Sequence, residues 1–490
     1  MRMAGWWAMA SAVATIVTPA MAQQARPKAA PIPVATDAPL APASVAHTLD
    51  LGDGRRIAYR AGWFETVLRD PAGVPEATIS ATSYVRSDAG AAARPVLVLF
   101  NGGPGASSSP LHFSAFGPRR VGPRDAAGER ALLDNRETLL DVADLLFVDP
   151  VGTGFSRPLR ADGGKRYWTV EGDAAATLTL VREWLRANGR TGSPLFLAGE
   201  SYGAYRLGTM ASHLDGLSVA GLILISPALD FATAADQAAV DRLPTMAVAA
   251  WRQGRAKGEG DVAAIWEAAR RFAEHDYAAA LQQGSLLPAA ERARVAAAVA
   301  RTIGVPAGAD LRPDTQSFLE TLVPGSIVGR LDVRVAQPAR PPANSDRPAA
   351  ANDPSLGLGR SNVITSRPIA TYLTQDIGVR TTRDYYSLTL DVNFNWDWNR
   401  PVTEPGETWS VVPAIATLMA ARPAVRLLAV GGYYDLATPW LATRHALSRG
   451  DLPQDRVTLL ALPSGHSPFE GDAERVVGAR AVRTFLAGTK

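Results

Sequence analysis

Ser201 stands at the centre of Gly199-Glu200-Ser201-Tyr202-Gly203, directly after an apolar run, Pro194 to Ala198, and before a helical stretch from Tyr205 to Leu214. Strand, sharp turn and helix in that order lift a serine hydroxyl above the edge of a sheet, where it can attack an acyl carbon. The flanking glycines let the chain bend tightly without side-chain clashes. The plainer alternative is a serine that caps the following helix. A serine hydroxyl is a weak nucleophile at neutral pH. Acyl chemistry therefore needs a base to take its proton and an acid to orient that base.

In a strand-turn-helix hydrolase the acid and then the histidine follow the nucleophile, each on a loop after a late strand. Of the six histidines, His47, His112, His213 and His275 all precede the last apolar runs. His445 falls inside a helical stretch from Trp440 to Ser448, where surface or packing roles suit it. His466 follows the final strand-like run in Pro463-Ser-Gly-His-Ser-Pro468, a tight polar turn able to carry an imidazole to the sheet edge. It is the expected base. For the acid, Asp435 comes just after the run ending at Val430, and Asp230 competes from one strand earlier. Asp435 is preferred because Asp230 opens a long insertion. The tetrahedral oxyanion needs backbone N–H donors already in place. Tyr202 N–H follows the nucleophile, and the glycine-rich loop Asn101-Gly-Gly-Pro-Gly105, with Gly102 and Gly103, offers the second.

These groups require a scaffold, and the chain supplies a repeating one. Alternating segments from Ile57 to Val85 predict an antiparallel meander. The apolar runs at Val96–Phe100, Leu145–Val148, Leu195–Ala198, Leu222–Ile225, Arg426–Val430 and Val457–Ala461 predict buried strands. Helical stretches between them, notably Val170 to Ala187, make the expected class α/β, a mostly parallel sheet flanked by helices. From Phe231 to Tyr386 the pattern changes to Ala-rich helices such as Val262 to Ala273, Tyr277 to Gln282 and Ala289 to Thr302. Residues 231–386 are thus expected to form a helical cap inserted into a core of 47–230 and 387–490, with a Pro-rich loop near 336–354.

Composition narrows the class further. The 490 residues, 47% hydrophobic, are enough for a large core. The formal charge of +3 is too small and too scattered to argue for nucleic acid. With no cysteine, disulfides, thiolate metal sites and N-terminal lipidation at cysteine are excluded. Arg2, the apolar run Ala4 to Ala20 and Ala20-Met21-Ala22 fit a cleavable signal over 1–22, followed by an unstructured leader over 23–46. Export to a periplasm or outside the cell is expected, without a stable membrane span after cleavage. No metal or other cofactor is called for.

Taken together, Asn101-Gly-Gly-Pro-Gly-Ala-Ser-Ser108, Phe147-Val-Asp-Pro-Val-Gly-Thr-Gly-Phe-Ser156, Gly199–Gly203, Gly432-Tyr-Tyr-Asp435 and Gly465-His466 resemble the serine carboxypeptidases of peptidase family S10. The resemblance runs from about Leu51 to the C-terminus. It implies an α/β-hydrolase with a helical cap that removes single residues from peptides with a free C-terminus. Ser201, Asp435 and His466 match the triad, Gly103 and Tyr202 the oxyanion hole, and Asn101 and Glu200 the pair that binds the substrate carboxylate. A glutamic acid can hydrogen-bond a carboxylate only if one proton is shared between them. The alternative for Glu200 is a buried acid paired with Arg206. Ala106 stands where eukaryotic members carry cysteine, so the likeness is to a bacterial-type member, and Ser467 replaces the usual methionine. Rival functions are an esterase or acyltransferase using the same triad, and a non-catalytic exported binding protein on a hydrolase scaffold.

Overall fold

The computed structural model describes residues 30–488 other than 53, 88–93, 125–129, 307, 309, 340–348, 360 and 399–408. The expected signal over 1–22 lies outside the described residues. A nine-stranded sheet is built from β1 (Ala43–Asp50), β2 (Arg56–Arg69), β3 (Pro75–Arg86), β4 (Val96–Phe100), β5 (Asp144–Asp149), β6 (Leu195–Glu200), β7 (Val219–Ile225), β8 (Arg426–Gly432) and β9 (Val457–Leu462). Their spatial order is β1-β2-β3-β5-β4-β6-β7-β8-β9. The first three form an antiparallel meander, β3 pairs antiparallel with β5, and every later pairing is parallel. The chain has the α/β class that its sequence pattern predicts and the α/β-hydrolase architecture that the family resemblance implies.

The central strands are apolar throughout because both faces are covered. In β4, Val96, Val98 and Phe100 enter one hydrophobic cluster while Leu97 and Leu99 enter another on the opposite face. Helices α1 (Val170–Ala187) and α2 (Tyr202–Met210) contribute to the first cluster. The start of α1 is fixed by Thr169, whose Oγ1 accepts from Gly172 N–H at 3.0 Å. The first turn of α2 lies earlier than the sequence suggests, because Gly203 is a poor helix former and hides it.

Between β7 and β8 the chain leaves the sheet. Here α3 (Ala235–Arg252), α4 (Val262–Phe272) and α5 (Ala289–Ile303) supply Leu243, Met246, Trp266, Val295 and Val299 to the same cluster that covers the sheet. The apolar side of these helices is therefore continuous with the core. Helix α6 (Val412–Ala421) leads into β8, α7 (Trp440–Arg449) follows it, and α8 (Asp472–Ala487) closes the chain on the second cluster. Within the loop expected near 336–354, Ala336–Pro338 pairs antiparallel with Ser326–Val328.

The unstructured leader expected over 23–46 differs from the structure in its second half. Ile32 and Leu40 are buried, Ala30 N–H donates to Asp391 Oδ1 at 3.0 Å, and Leu40 N–H donates to Glu65 Oε2 at 2.8 Å. β1 then begins at Ala43 as an edge strand. Only Leu49 of its eight residues is buried, so it lacks the alternation that would announce a strand.

The site's position follows from the strand order. β4 sits between β5 and β6, so the connection leaving β4 turns to one side and that leaving β6 turns to the other. A crevice opens at the carboxyl ends of these two neighbours. Their next residues are Asn101 and Ser201.

Candidate active site

Ser201 occupies φ 60° and ψ −128°, a left-handed conformation that costs a non-glycine residue about 1–3 kcal/mol. The surroundings hold it there. Its N–H donates to Ile225 O at 2.9 Å, and its carbonyl accepts from Ala204 N–H at 2.9 Å and Ala228 N–H at 3.2 Å. A Cβ on Gly199 would land on the Gly203 carbonyl, so the turn closes only with glycine at that position. Ser201 makes no side-chain cap bond to α2, which removes the capping alternative.

The glycine-rich loop lies directly over this turn. A Cβ on Gly102 would fall on the backbone nitrogens of Tyr202 and Gly203. Gly103 and Tyr202 consequently line one cavity together with Ser201. Asn101 is buried, with Oδ1 accepting from Leu111 N–H at 3.3 Å, which leaves its NH₂ as the donor arm. The loop is braced from the next motif, where Asp149 Oδ1 accepts from Ser108 N–H at 2.8 Å and Ser108 Oγ at 2.7 Å.

Asp435 is fully buried in the loop after β8. Its Oδ1 accepts from Ala437 N–H at 2.8 Å and Thr438 N–H at 3.0 Å, and its Oδ2 accepts from His466 Nδ1 at 2.7 Å. Thr438 Oγ1 lies 2.6 Å from the same Oδ2 and 2.9 Å from the Ser226 carbonyl, joining the acid loop to the segment behind Ser201. Thr438 was missed in the sequence, although a hydroxyl residue three positions after an aspartate is a recognisable turn signal. With Nδ1 bound to the carboxylate, Nε2 is the nitrogen left for another partner. Ser201 and His466 line the same cavity, and no hydrogen bond joins them among the described residues. Such contacts are commonly long before substrate binds. Burial works against charging His466; the Asp435 carboxylate and its hydrogen bond, helped by Glu200, outweigh it and hold the imidazole above its ordinary value.

The other histidines go elsewhere. His445, in α7, is bonded through Nδ1 to Asp241 at 2.6 Å and through Nε2 to Glu274 at 3.1 Å. His112 is a core residue, 2.7 Å from Tyr84 Oη and stacked on Phe147. Asp230 is exposed and bonds Ala232 N–H at 2.7 Å, while the histidine is held by Asp435.

Glu200 is buried beside Ser201, and Ser467 Oγ donates to its Oε1 at 3.0 Å. This bond ties the residue before Ser201 to the residue after His466. Desolvation, supported by the charges of Glu470 and Asp435, pushes Glu200 up to about 7 despite the opposing effects of His466 and Ser467. Arg206 does not pair with it. That guanidinium is buried on Asp173 Oδ2 at 2.5 Å and donates to the Asn101 carbonyl at 2.7 Å.

A segment of the cap runs along both loops and was not anticipated as part of the site. His466 N–H donates to Leu331 O at 2.8 Å, Leu436 N–H to Arg330 O at 2.9 Å, and Val333 N–H to Tyr434 O at 3.1 Å. This strap is fixed in turn by Asp353, whose Oδ2 accepts from Arg330 N–H at 2.8 Å and Leu331 N–H at 3.2 Å. The open cavity beside the strap has a volume of about 1420 Å³, with Tyr202, Phe231 and Trp398 among its aromatic lining. Among the described residues, no cluster of three or more His, Asp or Glu is arranged to hold a metal ion.

Residues 83–214 match the family described as serine carboxypeptidase, peptidase S10. Two Arabidopsis thaliana proteins, serine carboxypeptidase-like 21 and serine carboxypeptidase-like 36, are 31% identical over 134 residues and 30% identical over 147. These alignments cover 27% and 28% of this chain and 26% and 29% of the plant proteins, so the chain spans under a third of the curated relatives it matches. The matched segment contains Asn101, Gly103, Glu200, Ser201 and Tyr202; Asp435 and His466 lie beyond it. Among solved structures, Kex1(delta)p, a prohormone-processing carboxypeptidase from Saccharomyces cerevisiae, superposes with a TM-score of 0.54 at 15% identity. That superposition covers 87% of this chain and 91% of the yeast chain. At this identity the likeness speaks for the fold alone.

Proposed function

We propose that this chain is an exported serine carboxypeptidase that hydrolyses the last peptide bond of peptides through an acyl-enzyme. The observation that carries this reading is Glu200: a carboxyl buried next to Ser201, held by Ser467 instead of a cation, and raised to about 7. A group that shares a proton at neutral pH suits a substrate carboxylate, with the Asn101 amide as the second donor. Export rests on the basic, apolar and Ala-Met-Ala order of the first 22 residues.

In this mechanism His466 Nε2 takes the Ser201 proton as Oγ bonds to the scissile carbonyl carbon. Gly103 and Tyr202 N–H groups receive the oxyanion, and Asp435 stabilises the imidazolium through Nδ1. Collapse breaks the C–N bond, and the proton on Nε2 goes to the departing amino group. Water then attacks the acyl-Ser201 ester with His466 again as base, releasing the shortened peptide and restoring the serine.

The two titrations act in opposite directions. His466 must be neutral to serve as base, so every substrate gains as pH rises through its raised pKa. Glu200 must be protonated to hold a carboxylate, so a peptide loses efficiency as pH rises through about 7. An N-blocked dipeptide should give a narrow bell in kcat/KM, whereas its C-terminal amide or ester should keep its alkaline plateau. Coincident profiles on one purified sample would remove Glu200 from carboxylate recognition. Release of product from the ester with no amino acid from the dipeptide would favour the esterase or acyltransferase reading.

A further inference from the structure

Arg242 on α3 and Arg330 on the strap line the cavity shared by Ser201 and His466. Among the described residues neither guanidinium has a hydrogen bond or an ion pair. Other basic side chains of the same wall are occupied: Arg449 donates to Gln237 Oε1 at 2.7 Å, and His445 lies between Asp241 and Glu274. The acids closest in charge to Arg242 are Asp241 and Asp314. Asp241 directs Oδ1 to His445 and Gln237, and Asp314 directs Oδ1 to Ser317. Burial first, and then the charge of Arg330, lower the Arg242 guanidinium, and Arg330 also acts on His466. Both arginines are exposed on the cavity wall, and two like charges thus stand in electrostatic reach of one another, Arg330 also in reach of His466. A carboxylate ligand would relieve that repulsion and find two forked donors.

The charge distribution also assigns a side. Glu200, which the carboxypeptidase reading assigns to the carboxylate of the departing residue, lines the cavity with Glu470, while Asp332 near Glu470 is paired with Arg334 at 2.7 Å. An acidic side chain on the departing residue would meet those carboxyls. On the acyl side it would not. We propose that Arg242 and Arg330 form a subsite for an acidic side chain on the acyl side, selecting peptides with Glu or Asp immediately before the terminal residue. This rests on the carboxypeptidase reading above.

The test compares N-blocked Glu-Leu and Gln-Leu, which differ in charge and hardly in shape. At low salt the wild-type chain should prefer Glu-Leu by roughly tenfold in kcat/KM, and the ratio should fall as salt screens the charges. In the Arg242→Gln/Arg330→Gln double variant it should fall to about one. N-blocked Leu-Glu should show no advantage over Leu-Gln. A wild-type ratio near one, a ratio that survives the double substitution, or an arginine-dependent preference for Leu-Glu would each overturn the assignment. Dye-labelled Glu-Leu and Gln-Leu binding to Ser201→Ala, with and without the two arginine substitutions, reads the same ratio by anisotropy without turnover. Arginine-dependent binding of Glu-Leu without hydrolysis by wild type would uphold the subsite and defeat the peptidase reading.

Discussion

Ser467 connects the two titrating groups of the site, and its effect has a definite sign. Its hydroxyl donates to Glu200 Oε1 at 3.0 Å, a bond that favours the ionised carboxylate and opposes the upward push of burial. Ser467→Ala should therefore raise Glu200 further and extend peptide hydrolysis to higher pH. The ester profile, governed by His466, should move much less. Parallel pH profiles of the variant check this, and a peptide limb displaced to lower pH would contradict it. The nucleophile, acid and base candidates could be read from the chain because each sits on a short turn after an apolar run. The Ser467 contact could not, because it joins residues 267 apart that only the assembled sheet brings together. The same applies to Arg206, whose proximity to Glu200 in sequence suggested a pair. One helix turn carries it instead to Asp173.

At the scale of elements, the oxyanion cradle depends on how closely the loop after β4 approaches the start of α2. Gly102 sets that distance, since its missing Cβ would occupy the space of Tyr202 N and Gly203 N. Gly102→Ala must push the loop away from the turn and misplace both proposed donors. The expected loss in kcat is roughly 100-fold or more, as for removal of an oxyanion donor. Substrate affinity should change less, and steady-state kinetics separate the two; a loss confined to KM would argue against the cradle. The strands that make this approach possible were legible because burial on both faces leaves a continuous apolar run, as in β4 with no exposed residue. β1 was not legible, because an edge strand with one buried side chain has little hydrophobic pattern to display. The helices between β7 and β8 were legible, but the path of the segment that follows them was not. The hydrogen bonds that route this strap use backbone groups, which every residue type carries alike.

Over the whole molecule, cap and core are coupled through that strap. Asp353 accepts the Arg330 and Leu331 N–H groups, and the carbonyls of those same residues accept from Leu436 and His466. One carboxylate thus helps position the backbone of both the acid and the histidine loop, although it touches neither proposed triad side chain in the structure. Asp353→Ala leaves two strap donors and the Ser355 turn without their acceptor, which should destabilise the chain by about 1–3 kcal/mol. It should also lower kcat roughly tenfold, a barrier increase of about 1.4 kcal/mol, by letting His466 drift from its working orientation. Asp353→Asn keeps one acceptor oxygen and should recover part of both losses. The decisive readout is the rate at which a serine-directed phosphonylating reagent labels Ser201, measured well below the variant's melting temperature. If His466 orientation is what the strap supplies, labelling should slow in proportion to kcat. Labelling at the wild-type rate in a destabilised Asp353→Ala chain would mean that the β8 and β9 loops hold the site unaided and that the strap contributes stability only.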